Sequence, residues 1–254
     1  MNKTLIASAV SAALLLPLSG LAQTVTEQSA EHRYQLDFHV NEAALAALLP
    51  RGWEAAVATQ GPAKDCNLRL IFIDRMAIFG SDGKASSPAS ERLVYLAVPV
   101  KQPATGTTGQ MILHGLTDNA AEAPGWFGVY ELATAETSRS SASHKGRASG
   151  REDWAFTAAS GERLTLHVEY ERGATTKGGG ETKFFHPGDP TQFQVFRTDQ
   201  TLDIQRNATT SPPDHVRRFS YTARGGKLAA LFDGTEKVVS WDLMPSYTRT
   251  ITTP

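Results

Sequence analysis

The chain has 254 residues, with 25 Lys and Arg against 26 Asp and Glu, giving a formal net charge of -1. So even a balance lacks the basic footprint that nucleic acid demands, and no nucleic-acid partner is expected. The single cysteine excludes an internal disulfide framework, while the length suffices for one generous domain with a sizeable core.

The chain opens on a short basic start at Lys3, an apolar run over residues 5–18, and small residues at Gly20 and Ala22. This is the three-part pattern of a secretory signal peptide over residues 1–22. The mature chain would begin at Gln23, and losing Lys3 would take the net charge from -1 to -2. The run is too short to span a bilayer, so no stable membrane anchor is expected. The expected location is periplasmic or secreted. Residues 23–254 read as one domain, with 24–30 as a loose arm.

Residues 32–40 alternate. Tyr34, Leu36, Phe38 and Val40 share one face; Arg33, Gln35, Asp37 and His39 share the other. Asn41 can cap a short helix that Pro50 ends, with Leu45, Leu48 and Leu49 as its apolar stripe. Strands are expected over 68–79, 92–100, 109–116, 127–135, 152–158, 162–172, 192–206, 215–223 and 237–244. Cys66 shares a period with Leu68, Leu70 and Phe72 and should be a buried thiol. The 92–100 strand is apolar on both faces and should be central. Residues 173–190, rich in glycine, are expected as a loop, and 227–232 as a short helix. About ten strands at hairpin spacing leave no room for helical crossovers, so a mainly β, largely antiparallel barrel or sandwich is expected.

Three stretches in this order resemble the acetoacetate decarboxylase-like family: "FHVNEAALAALLPRGWEAA" (38–56), "YLAVPVKQPATGTTGQMIL" (95–113) and "TDNAAEAPGWFGVYELATA" (117–135). The resemblance implies an antiparallel β-barrel with a polar interior pocket. It also implies a Schiff-base mechanism, in which a lysine amine with a lowered pKa attacks a ketone. The family's two adjacent lysines fall near Thr134 and Ala135, neither of which can form an imine. A family glutamate falls near Leu93, with Glu91 two residues earlier on the same face. The resemblance therefore implies a fold and a pocket, without the decarboxylase reaction.

Several side chains are candidates for chemistry. His167, Glu169 and Glu171 share a strand face that could line a polar interior as acid/base groups or hard-metal ligands, or simply meet solvent. No third metal ligand is visible beside them, H-E-x-x-H is absent, and no metal is expected. Of Tyr130 and Glu131, one should point inward, as a ligand contact or a general base. His114 is a second pocket candidate, or a hydrogen-bonded core residue. Lys145 lies among His144, Arg147 and Arg151, cations that could lower its pKa or hold a substrate carboxylate; a solvated hairpin is the alternative. The phosphate-loop order and G-x-S-x-G are absent, and no cofactor is expected. Three readings follow: a barrel binding a small organic acid or ketone, an enzyme on a small keto acid through Lys145 or a carboxylate/His pair, and a lipocalin-like carrier of an apolar ligand. A small molecule is the expected partner, and a homo-oligomer stays open.

Overall fold

The computed structural model describes residues 23–86, 88, 90–119, 121, 123–125, 127–207 and 214–254. The expected signal segment lies outside them. Twelve strands are present in chain order: β1 (Thr24–His39), β2 (Glu54–Ala55), β3 (Leu68–Gly80), β4 (Glu91–Gln102), β5 (Thr107–Thr117), β6 (Tyr130–His144), β7 (Arg147–Ala158), β8 (Arg163–Glu171), β9 (Thr176–Phe185), β10 (Phe193–Asn207), β11 (Val216–Arg224) and β12 (Lys237–Thr253). One helix, α1 (Glu42–Ala46), is capped by the Asn41 side chain, which accepts from the backbone N–H of Ala43 at 3.0 Å and of Ala44 at 3.1 Å. The helix is shorter than expected: Leu45 is buried, but Leu48 is 37% exposed. A 3-10 turn covers Gly226–Ala230.

The strands pair in the order β5-β9-β10-β12-β1-β3-β4, and β4 pairs back onto β5, so the ring closes. Closure removes the open edges of a sheet and makes an inside. Every pairing in the ring is antiparallel except β5 with β9, a parallel seam of two residue pairs, Gln110 with Phe184 and Met111 with Phe185. Gly109 sits at this seam, where a Cβ would lie 2.5 Å from the Lys183 carbonyl oxygen. A second sheet, β6-β7-β8-β11, springs from the other end of β5 through a short parallel pairing of residues 115–117 with 130–132.

The second sheet lies over the outside of the barrel wall. Tyr34, Leu36, Phe38, Leu70, Phe72 and Leu96 on the wall pack into one core with Trp154, Phe156, Leu164, Leu166 and Val168. The Phe72 ring is 6.0 Å from that of Trp154 and 6.3 Å from that of Phe156. A smaller apolar cluster of Ile71, Ile73, Leu93, Tyr95, Ile112, Phe184 and Phe196 fills part of the barrel interior. β1, β3 and β4 are therefore buried on both faces.

Two expectations are corrected here. Residues 24–30 are not a loose arm: they begin β1 and pair with both β12 and β3. The Gly-rich 173–190 segment is not a loop throughout, because β9 runs through it. Gly179 and Gly180 take φ of +146° and +143°, which only glycine tolerates readily, so the run extends without β-branched residues.

Candidate functional site

The polar alternation of β1 points into the barrel. Ser29, Glu31, Arg33, Gln35 and Asp37 are each less than 9% exposed. Neighbouring strands add Arg69 and Arg75 from β3, Glu91 from β4, and Asp242, Tyr247 and Arg249 from β12. The interior is thus a column of charge rather than a purely apolar core.

One end of the column is a salt-bridge network. Arg249 reaches Glu31 at 2.6 Å; Arg33 donates from Nε to Glu31 at 2.6 Å and lies 3.4 Å from the Tyr247 ring centroid. Arg75 bonds Glu91 at 2.7 Å and also pairs with Glu27. Burial alone would raise the Glu31 pKa, but Arg249, Arg33 and Arg75 outweigh it and hold the carboxyl down at about 2. Glu91 shows the opposite balance. Burial pushes it up to about 7 against Arg75 and the Thr117 hydroxyl that donates to it. Glu91 is the residue that the resemblance put near the family's glutamate, and it does share the interior face with Leu93.

Beyond this network the barrel opens into a cavity of about 370 Å³. Arg33, Arg69, Gln35, Gln110, Tyr95 and Tyr247 give it a polar side; Ile71, Phe184, Phe196 and Met244 give it an apolar side. Gly179 and Gly180 of β9 form part of the wall, where the absence of side chains leaves the space open. Asp37 and Asp242 also line it. Asp37 accepts from Gln35 at 2.9 Å and faces Arg69 at 3.5 Å, while Asp242 accepts from Ser240 at 3.0 Å. Burial, reinforced by Asp37, pushes Asp242 up to about 8. Cys66 is fully buried beside this pair, and burial and then Asp37 raise its thiol to about 12, which makes it inert.

The candidates from sequence separate. Tyr130 packs on the interior cluster, donates to the Pro124 carbonyl at 3.3 Å, and has its phenol pKa pushed well up by burial. Its neighbour Glu131 points the other way and gathers with His114 and Glu162 outside the barrel. His167, Glu169 and Arg151 do not line the interior: they lie on the outer face of the second sheet. There His167 pairs with Asp153 at 2.6 Å and Arg151 with Asp153 at 2.9 Å. Glu171, on the same face, pairs with Arg217 at 2.8 Å. Lys145 is exposed at the tip of the β6–β7 hairpin, with φ of +49° followed by Gly146 at +76°, the geometry of a two-residue turn. Thr134 is exposed, and Ala135 packs against the core between the sheets, so neither faces the cavity. Each of the eight described lysines is exposed. Sequence reasoning put Arg33, Gln35 and Asp37 on one strand face without assigning that face to the interior, and did not single out Arg69, Asp242 or Arg249. The available signal was charge alternating along β1 in a chain expected to close into a barrel.

No protein-family model matches the chain, and no curated protein matches it. Solved structures do. The enduracididine biosynthesis enzyme MppR complexed with pyruvate is 15% identical, with a TM-score of 0.56 over 96% of each chain. An acetoacetate decarboxylase-like enzyme from Sphingomonas wittichii RW1 is 14% identical, with a TM-score of 0.53 over 96% of this chain and 99% of that one. An acetoacetate decarboxylase is 10% identical, with a TM-score of 0.52 over 90% and 87%. The fold is therefore acetoacetate decarboxylase-like.

Proposed function

We propose that this chain is an exported acetoacetate decarboxylase-like barrel that binds a small organic acid or keto acid in its interior cavity and forms no Schiff base. The observation that carries the reading is the cavity lining: Arg33 and Arg69 border it, and every described lysine is exposed. A guanidinium suits a carboxylate through paired, charge-assisted hydrogen bonds. The aromatic and aliphatic side of the cavity suits a short carbon chain. The pyruvate bound by MppR makes a short keto acid the first probe. Export rests on the sequence pattern of residues 1–22.

A catalytic reading is favoured by one specific observation, the buried Asp37 and Asp242 pair on the cavity wall. A carboxyl raised to about 8 can donate a proton at neutral pH. The apolar-carrier reading fits less well, because Arg33, Arg69, Asp37 and Asp242 would be left facing hydrocarbon.

Borohydride reduction tests the absence of imine chemistry. The mature protein is incubated with short keto acids and ketones, reduced, and weighed intact. No adduct is expected. A stoichiometric adduct on one lysine, Lys145 or another, would replace this reading with an imine mechanism.

A further inference from the structure

We propose that His114, Glu131 and Glu162 form a divalent transition-metal site between the barrel and the second sheet. Nothing in the fold likeness points to it; the three residues lie 17 and 31 positions apart and meet only through the topology. His114 comes from β5, Glu131 from β6, and Glu162 from the turn between β7 and β8. One ligand atom from each lies within 4.8 Å of the other two. Ligands around a single ion at metal–ligand distances of roughly 2.0–2.2 Å sit about 3–3.5 Å apart, so side-chain adjustment that parts the direct His114–Glu162 contact would seat one ion among the three.

Charge is the second, separate observation. His114 and Glu162 are 6% and 2% exposed. Among the described residues no lysine or arginine side-chain nitrogen is within 4 Å of the Glu131 or Glu162 carboxylate; His114 alone pairs with Glu162. Two adjacent carboxylates, Glu162 buried and Glu131 half-buried, thus have no Lys or Arg counter-charge beside them, an arrangement that burial penalises. A divalent cation supplies that charge.

The surroundings also hold the ligands as an outer shell would. The backbone N–H of Lys227 donates to Glu162 Oε1 at 2.6 Å, and that of Ser160 to Glu131 Oε1 at 3.3 Å. Each bond fixes one oxygen; the second Glu162 oxygen contacts His114 Nε2 directly, so an ion would enter between these two atoms. Gly226 makes the first contact possible: its φ is +45°, and a Cβ there would lie 1.9 Å from Glu162 Oε1. An adjoining cavity of about 120 Å³, lined by Leu96, Leu113, Leu228 and Leu231 together with His114 and Lys227, borders the group. One nitrogen and two carboxylate oxygens suit zinc or manganese.

The test is calorimetric titration of untagged, EDTA-stripped protein with Zn²⁺ and with Mn²⁺. Saturable uptake of one ion per chain is expected, with a rise in Tm on loading. Glu162→Gln and Glu131→Gln should each weaken uptake at least ten-fold. Glu131 is the half-buried member, so its variant keeps the test valid should Glu162→Gln fail to fold. His167→Gln, on the outer sheet face, should leave uptake unchanged. Absence of saturable uptake of either ion, or uptake that Glu131→Gln leaves unaltered, would overturn the site.

Discussion

At the residue scale, the interior charges are set against one another, and pH separates them. Glu31 has its folded pKa lowered to about 2 from an ordinary 4.5. Its contribution to stability is therefore full above pH 4.5 and is lost as pH falls toward 2. Glu91 is raised to about 7, so its folded state binds the extra proton and stability declines as pH rises from 4.5 to 7. Denaturant midpoints measured between pH 3 and 8 should show both limbs, and Glu91→Gln should flatten only the upper one. An unchanged upper limb would mean that Glu91 does not titrate as described. Glu31→Ala should cost about 3–5 kcal/mol, the range for removing one partner from a buried ion pair. Asp242 acts on the ligand instead. Its ionisation places a negative charge in the cavity, so affinity for an organic anion should fall as pH rises through about 8. Asp242→Asn should remove that dependence, which titration calorimetry at pH 6 and pH 9 would read.

At the scale of elements, β1 and β9 decide the site, and they differ in how legible they were. The alternation of β1 is plain in "HRYQLDFHV", and so is its partition into polar and apolar faces. Period alone does not say which face meets water. In this barrel both faces are buried, and the polar one is the lining, satisfied by arginines arriving from β3 and β12. β9 was unreadable for another reason: three consecutive glycines signal a loop by composition. Here they extend only because glycine tolerates positive φ, and because pairing with β10 holds the strand. Gly179→Val should be doubly unfavourable. Its Cβ would meet the Thr198 carbonyl oxygen at 2.3 Å, and it would strain φ at a point lining the cavity. A fall in Tm together with weaker ligand binding is expected.

At the scale of the whole molecule, the mainly β class and the central place of β4 were readable, because hairpin spacing without helical crossovers leaves few alternatives; β2 and β9 were missed, and barrel closure came from the family resemblance rather than from spacing. The candidate site was readable only in part. Tyr130 and Glu131 flank a strand start, and alternation sends them to opposite sides: one to the interior, the other to the His114 and Glu162 group. Lys145 drew notice as a lysine among cations, yet a two-residue turn carries it to the tip of an exposed hairpin. The residues that define the cavity come from β1, β3 and β12, which are remote in sequence and adjacent only once the ring closes.

The central claim is that Arg33 and Arg69 make the barrel cavity a carboxylate site. It is tested most directly by thermal shift against short keto acids, each paired with its neutral amide or ketone analogue, on the wild type and on Arg69→Gln. Acids should raise the Tm of the wild type and their neutral analogues should not. Arg69→Gln should lose about 10- to 100-fold in affinity, as removal of a charge-assisted hydrogen bond implies. Stabilisation by the neutral analogues alone, or by acids equally in Arg69→Gln, would contradict the claim.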